Sequence, residues 1–405
     1  MIADCWLLPL LAVGHLCLLV LAVNVFHGLG FEERRVMPRV KWLFLAILFA
    51  FTIGLAGVAL RASWTDWPPL LQGYALLCLG VVLIGLPADV LVRRLRRLPI
   101  EVSGHSEPVE LAPPNEFHTL IGDGKAAWWL RIPGNQSLRP MRHDWEIRIP
   151  GLAKPLDGLR ILHLSDLHLH PGFSRRFYEA LADQAATVET DLVLFTGDLM
   201  DDEDALKWAE PVLSRLKGQL GQFAILGNHD ARFEIEKPTA ALRAAGFKVI
   251  EGAWARRELA DASIVLGGTS YPWGPMPDPE AMPEADLHLF LSHSPDNFYQ
   301  LADWGMDLVL CGHTHGGQYR LPIIGPVLMP SRYSRRFDAG FFRKGRTLMH
   351  VSRGLAAQHP LRINCPPEFS RFVLRSAPAR QQHPRQVAHE ARATGQASRI
   401  ESPIS

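Results

Sequence analysis

Thiol chemistry is scarce in this chain: 405 residues hold five cysteines, Cys5, Cys17, Cys78, Cys311 and Cys365, with no C-x-x-C pair and no regular spacing. That scarcity excludes a disulfide framework and a Cys-rich structural zinc site. Cys311 sits inside a strand pattern and reads as a small buried hydrophobe. An excess of one charge is missing as well. The 42 basic and 41 acidic side chains leave a formal net charge of +1, so no global basic field exists to hold nucleic acid.

Charge is also nearly absent from three long stretches near the amino terminus. Residues 6–26, 41–60 and 69–86 are apolar runs close to the roughly 17–25 residues needed to cross a bilayer, with Trp6, Trp42, Trp64 and Trp67 near their ends. The first lacks the basic start of a secretory signal peptide. The third is the weakest, since Gln72 and several glycines lower its hydrophobicity and Pro87 bounds it. Basic residues flank two connections, with Arg34, Arg35, Arg39 and Lys41 after the first run and Arg93, Arg94, Arg96 and Arg97 after the third. Basic flanks stay cytoplasmic. The expectation is therefore a multi-pass module over residues 1–97, with an outside amino terminus and the following domain in the cytoplasm. The arginine run could also bind anionic headgroups, although topology alone accounts for it.

Residues 98–144 lose strong periodicity and are rich in proline, as a linker or a small accessory layer would be. Asn135-Gln136-Ser137 fits a glycosylation sequon, but the cytoplasmic placement argues against its use. Residues 145–375 alternate strand-like and helical patterns, which predicts a layered α/β domain. Ser174, Asp202 and Ser294-Pro295 are expected to start its helices. Residues 376–405, poor in large apolar side chains, read as a disordered tail.

The chemistry lies where apolar runs stop. Strand-length runs over residues 160–165, 191–196, 222–226 and 306–311 end in Asp166-Leu167-His168, Gly197-Asp198, Gly227-Asn228-His229-Asp230 and Gly312-His313-Thr314-His315. A fifth run ends at His293. In open α/β sheets the site lies beyond the carboxyl ends of strands, where loops gather distant side chains. Mixed imidazole and carboxylate donors without thiolate favour Mn, Fe or Zn. His163, by the period of two along its strand, and His170, in a turn, are not expected to be ligands.

These motifs resemble those of the calcineurin-like metallophosphoesterase superfamily. The run Gly312-His313-Thr314-His315-Gly316-Gly317-Gln318, with Val351-Ser352-Arg353-Gly354-Leu355, is similar to a bacterial, membrane-associated branch. The resemblance implies an α/β four-layer sandwich, two β-sheets flanked by helices, behind the transmembrane helical module in the bacterial inner membrane. It also implies two divalent cations. Asp166, His168 and His315 resemble the ligands of one, Asn228, His293 and His313 those of the other, and Asp198 the carboxylate that bridges them. His229 resembles the non-ligand histidine that meets the phosphate and protonates the leaving group, with Asp230 orienting its ring, and a metal-bridging hydroxide is the implied nucleophile.

The expected activity is hydrolysis of a phosphodiester or pyrophosphate, with the lipid bilayer as partner and lipid-linked substrates favoured; a UDP-diacylglucosamine-type pyrophosphate is one candidate. Nuclease or protein phosphatase activity would use the same centre, and a membrane scaffold or sensor with a structural metal site is the alternative from another class. Two further stretches could shape the substrate site. One is the proline- and aromatic-rich loop after Gly268, which could instead be a rigid surface loop. The other is the basic run 332–346, which could hold a second phosphate or form the solvated face of a hairpin.

Overall fold

The computed structural model describes residues 7–28 and 64–378, together with residues 46, 49, 50, 52, 54 and 57. The apolar run at 41–60 lies largely outside the described residues, and the tail from residue 379 lies wholly outside them. Fifteen strands occur in chain order among the described residues. They are β1 (Val102–Pro108), β2 (Met141–Pro150), β3 (Arg160–Leu164), β4 (Leu192–Thr196), β5 (Gly221–Ile225), β6 (Lys248–Val249), β7 (Ala253–Leu259) and β8 (Ala262–Thr269). Then follow β9 (Leu287–Ser292), β10 (Leu308–Cys311), β11 (Arg320–Leu321), β12 (Gly325–Pro326), β13 (Gly340–Lys344), β14 (Thr347–Val351) and β15 (Glu368–Ala377). One sheet has the order β1-β2-β15-β3-β4-β5-β6, the second β13-β14-β10-β9-β8-β7, and β11 and β12 form a separate ribbon.

Side-chain alternation explains why the sheets stack. Along β4, Leu192 and Leu194 point into the core between the sheets, while Val193 and Phe195 point to the opposite face. On β9, Leu287, Leu289 and Leu291 join the same inner core and Phe290 faces outward. Strands buried on both faces read as continuous apolar runs. Helices α3 (Arg175–Ala186), α4 (Ala209–Leu213) and α5 (Glu236–Ala244) accompany the first sheet, and α6 (Phe298–Asp303) the second. The architecture is thus mixed α/β, two sheets between helical layers. Ser174 caps α3 by accepting from Phe177 N, a contact worth about 1 kcal/mol. Asp202 accepts from Ala205 N, but the segment it opens is broken, a 3-10 turn and then the short α4.

Residues 98–144 take the accessory-layer form. Strand β1 pairs antiparallel with β2, and Leu111, Leu120, Leu130 and Leu138 add to the core on the helical side of the first sheet. Asn135 is committed to backbone, its amide donating to the carbonyls of Trp129 and Pro360 and its oxygen accepting from Ser137 and Arg362.

Among the described residues, two helices are long and apolar enough to cross a membrane: α1 (Leu7–Gly28), and α2, which runs Pro69–Leu95. The second extends further than the sequence predicts. Pro87 does not end it, because a five-residue π-turn, Val81–Gly85, precedes it and shifts the bonding pattern, with Leu86 N donating to Val81 O. The helices touch closely where Gly14 lies against the backbone of Cys78. At their carboxyl ends both meet the α/β domain. Asn24 donates to Val327 O and accepts from Met329 N, while Arg93 and Arg96 pair with the buried Asp338 at 3.1 and 2.7 Å.

Those pairs change the reading of both basic stretches. Arg93 and Arg96 are spent on the domain rather than left for headgroups. In the later run, Arg332 pairs with Asp296, Arg335 with Asp89, Arg343 with Glu101, Lys344 with Asp303 and Arg346 with Asp307. Arg336 lies over the Tyr299 ring. A run so fully paired is structural and offers no second phosphate site.

Candidate metal centre

The parallel strands β3, β4 and β5 of one sheet and β9 and β10 of the other end at the same edge of the sandwich. Asp166 follows the end of β3 by two residues, Asp198 that of β4 by two, Asn228 that of β5 by three, His293 that of β9 by one and His313 that of β10 by two. These turns are tight. Asp166, His168, Asp198, His313 and His315 all adopt left-handed backbone, with φ of 55°, 43°, 56°, 68° and 50°, a conformation that non-glycine residues hold only when their surroundings enforce it. Gly227 lies against the Asp198 carboxylate with no space for a Cβ, so the β5 turn can close on that acid.

All seven side chains expected as ligands converge. Ligand atoms of Asp166, His168, Asp198 and His315 lie within 4.8 Å of one another, and so do those of Asp198, His293 and His313. Asn228 joins the second group, its Oδ1 being 3.0 Å from His293 Nε2. One oxygen serves both sets. Asp198 Oδ2 is 3.5 Å from His168 Nε2 and 3.4 Å from His293 Nε2.

The donors fit divalent cations on their own chemistry. Asp166 and Asp198 are buried carboxylates, and their nearest basic partners are imidazoles. His168 Nε2 faces His315 Nε2 at 3.1 Å, an approach of two ring nitrogens that needs a shared cation or proton. His313 Nε2 is buried and has no hydrogen-bond partner among the described residues. Orphaned buried nitrogen beside carboxylate is costly unless a cation fills the gap.

Electrostatics follow from these contacts. Burial opposes charge on His168 and His293, but Asp201 beside the first and Asp198 beside the second push both up to about 9. Burial would raise Asp201; the His168 and His229 rings outweigh it and hold its carboxyl well below the usual range.

His229 stands beside the donor set, its ring centroid 4.5 Å from that of His168. Asp230 does not orient it. The Asp230 carboxylate is buried and accepts from the backbone of Leu199, Met200 and Gly227, which staples the β5 turn to the β4 turn. The acid that contacts His229 Nδ1 is Asp201, which also takes His168 Nδ1 at 2.9 Å. The sequence held a signal for it, a second acid three residues after Asp198 on the same loop. Arg232, three residues after His229, was also missed. Its exposed guanidinium lies 3.1 Å from both ring nitrogens of His229.

The other histidines have structural partners. His163 Nε2 meets Thr196 Oγ1 at 2.9 Å, and His170 Nε2 meets Ala357 O at 3.1 Å. The loop after Gly268 does reach the site, with the Trp273 ring 4.7 Å from that of His313.

Residues 159–317 match the family described as calcineurin-like phosphoesterase. The chain is 33% identical over 225 residues to the phosphodiesterase YaeI of Escherichia coli, covering 53% of this chain and 82% of that one. It is 26% identical over 364 residues to a transmembrane protein with metallophosphoesterase domain of Danio rerio, covering 84% and 82%. It is 25% identical over 300 residues to the UDP-2,3-diacylglucosamine pyrophosphatase LpxG of Chlamydia muridarum, covering 57% and 88%. Ligand groups at the shared strand ends and relatives matched over most of their length agree, and the chain belongs to the calcineurin-like phosphoesterase family of metal-dependent phosphoester hydrolases.

Proposed function

We propose that this chain is a membrane-anchored phosphoesterase with two metal sites, acting on a phosphodiester or pyrophosphate in a lipid-linked molecule. The observation that carries the two-site reading is the position of Asp198 Oδ2 between both ligand groups. Asp166, His168 and His315 would hold one cation, Asn228, His293 and His313 the other, and Asp198 both. Bound there, a pair of Mn, Fe or Zn ions supplies Lewis-acid activation of water and neutralises charge on the phosphoryl oxygens.

The protein side of the reaction is carried by His229 and its neighbours. Asp201 holds Nδ1 of His229, so the proton for a leaving oxygen would come from Nε2, the ring nitrogen beside Arg232. Arg232 is placed to meet an anionic phosphate oxygen and so discriminates for the charged diester. Trp273, beside His313, walls the opposite side and limits water around the reacting phosphorus.

Membrane anchoring is supported by helix direction. Helices α1 and α2 both present their carboxyl ends to the domain and pair along their length at Gly14 with Cys78 and at His15 with Tyr74. They are therefore parallel, an arrangement that supports the three-crossing reading. Lipid-linked substrate is supported by the likeness to LpxG, named for a diacylglucosamine pyrophosphate. Near-neutral net charge disfavours nucleic acid.

Metal analysis of the full chain after chelation and reloading with Mn²⁺ is the direct test. Two ions per chain, with turnover of bis-nitrophenyl phosphate restored in parallel, is the expected outcome. One ion supporting full turnover would end the two-site reading. Hydrolysis of a diacylglycerol-linked pyrophosphate faster than of a phosphopeptide or an oligonucleotide is expected, and the reverse order would remove the lipid-linked assignment.

A further inference from the structure

The run Leu321-Pro322-Ile323-Ile324-Gly325-Pro326-Val327-Leu328-Met329-Pro330 contains no charged or polar side chain, and it connects the metal-binding turn to the point where the long helices join the domain. It folds as the β11–β12 ribbon and the strap that follows. A soluble turn of this kind would carry Gly, Asn or Asp at its tip. This one carries Ile323, a β-branched residue at φ 69°, 70% exposed, beside Leu321 at 48% and Leu328 at 47%. Backbone that a β-branched residue adopts only under constraint is being used to hold an apolar side chain out of the protein.

The depth of the ribbon is fixed by the helices. Asn24, in the last turns of α1, holds the strap at Val327 and Met329. Gly28 packs on Ser331 and Arg332 with no space for a side chain. From α2, Asp89 pairs with Arg335, whose guanidinium also donates to Ile324 O, and Arg93 bonds to Arg335 O and Asp338. The exposed apolar tip thus lies level with the helix ends, and the flanking Arg320 and Arg332 are each held by an acid, Asp338 and Asp296. Exposed apolar side chains at the level where two membrane-length helices end suit the boundary of acyl chains and headgroups.

The same strap touches the catalytic turn. Gly317, two residues after His315, lies against Pro326 and Met329 with no room for a Cβ, and the Pro330 carbonyl lies against the His313 ring.

We propose that the β11–β12 ribbon dips into a phospholipid bilayer through Leu321, Ile323 and Leu328, and brings a membrane-embedded phosphoester to the metal centre packed behind it. The proposal rests on the membrane-anchored reading above. With the ribbon seated among acyl chains, a lipid-linked phosphoester need not leave the bilayer fully, which lowers the cost of extracting its tails.

The test reconstitutes the full chain in phosphatidylethanolamine–phosphatidylglycerol vesicles. Ile323→Cys and, at mid-helix, Leu77→Cys are labelled with an environment-sensitive fluorophore, the background of the unsubstituted chain being subtracted. Quenching by nitroxide lipids is expected at both sites, strongest for Ile323→Cys when the nitroxide is near the headgroup. Quenching at Leu77→Cys alone overturns the ribbon proposal while leaving the anchored reading intact. Quenching at neither overturns both. In the functional arm, the Leu321→Ser/Ile323→Ser double variant is expected to lose about tenfold in turnover of a vesicle-embedded phosphodiester, the loss of two partly buried apolar contacts, with soluble aryl phosphodiester hydrolysis unchanged. An equal loss on both substrates overturns the proposal, because it marks a structural role.

Discussion

The two ends of the same strands obey different rules. In the middle of β3, β4, β9 and β10, mostly apolar side chains alternate between two cores in regular backbone, with His163 on β3 the buried polar side chain among them. One to four residues past their carboxyl ends, carboxylates and imidazoles are buried together, five of them in left-handed backbone, and His313 Nε2 has no partner among the described residues. Local rules are broken where chemistry is done and kept where stability is made. Substitutions four residues apart, within β4 and just past its end, should separate the two. Asp198→Ala is expected to lower turnover by about a thousandfold or more, the scale of removing a group that binds the transition state. The circular dichroism spectrum should be retained. Unfolding of this variant would break the comparison, since the strand ends would then be structural.

Leu194→Ala tests the other end. Leu194 is fully buried between the sheets, with His163 on β3 and Phe223 on β5 as its register partners, and truncation there should cost about 2–5 kcal/mol of stability. Turnover per folded molecule should remain within about threefold, given that the residue touches no reacting group. A fall of turnover matching that of Asp198→Ala would mean the core and the centre are one cooperative unit.

The core departs from its apolar rule at two facing histidines, His163 and His350, and acid should expose the second. His350 on β14 is enclosed by Phe341 and Phe372, and burial lowers its pKa to about 4. The unfolded chain binds a proton there near pH 6.5 while the folded chain does not until about pH 4. Stability is therefore lost as pH falls between those values, by up to about 3 kcal/mol. Thermal melts across that range should show a smaller acid shift for His350→Phe. An equal shift in both proteins would assign the acid sensitivity to other groups.

How much was legible follows from the same contrast. Apolar runs ending in Asp, Asn and His announce themselves, so the strands β3, β4, β5, β9 and β10 were legible, and the family resemblance picked seven donors from the clusters at their ends. The accessory strand β1 could not. Its burial pattern is one buried residue followed by exposed ones, so only its pairing with β2 makes it a strand. Nor could the end of α2. Proline normally stops a helix, and the π-turn that absorbs Pro87 is a property of backbone spacing without a residue signature. The basic runs misled for a third reason. Charge in sequence does not reveal its partners, and Asp89, Glu101, Asp296, Asp303, Asp307 and Asp338 come from distant segments.

The finest version of the comparison lies inside the centre itself, between Asp201 and Asp230. Both acids are nearly or fully buried and both follow a strand end, yet one bonds to rings and the other to backbone. Asp201→Asn keeps the shape but loses the charge that holds His168 and His229, and partners of this kind typically contribute 10–100-fold. The expected signature is a 10–100-fold loss of turnover with an altered pH profile and an unchanged melting temperature. Asp230→Asn keeps one acceptor for three backbone donors and removes a charge that burial and the nearby Asp198 already disfavour. Its effect should be the smaller in turnover and should appear in the melting temperature instead, because the turn it staples loosens without either ring losing its partner. If Asp230→Asn shifted the pH profile and Asp201→Asn left it alone, the orienting role would return to the acid next to His229 in the chain.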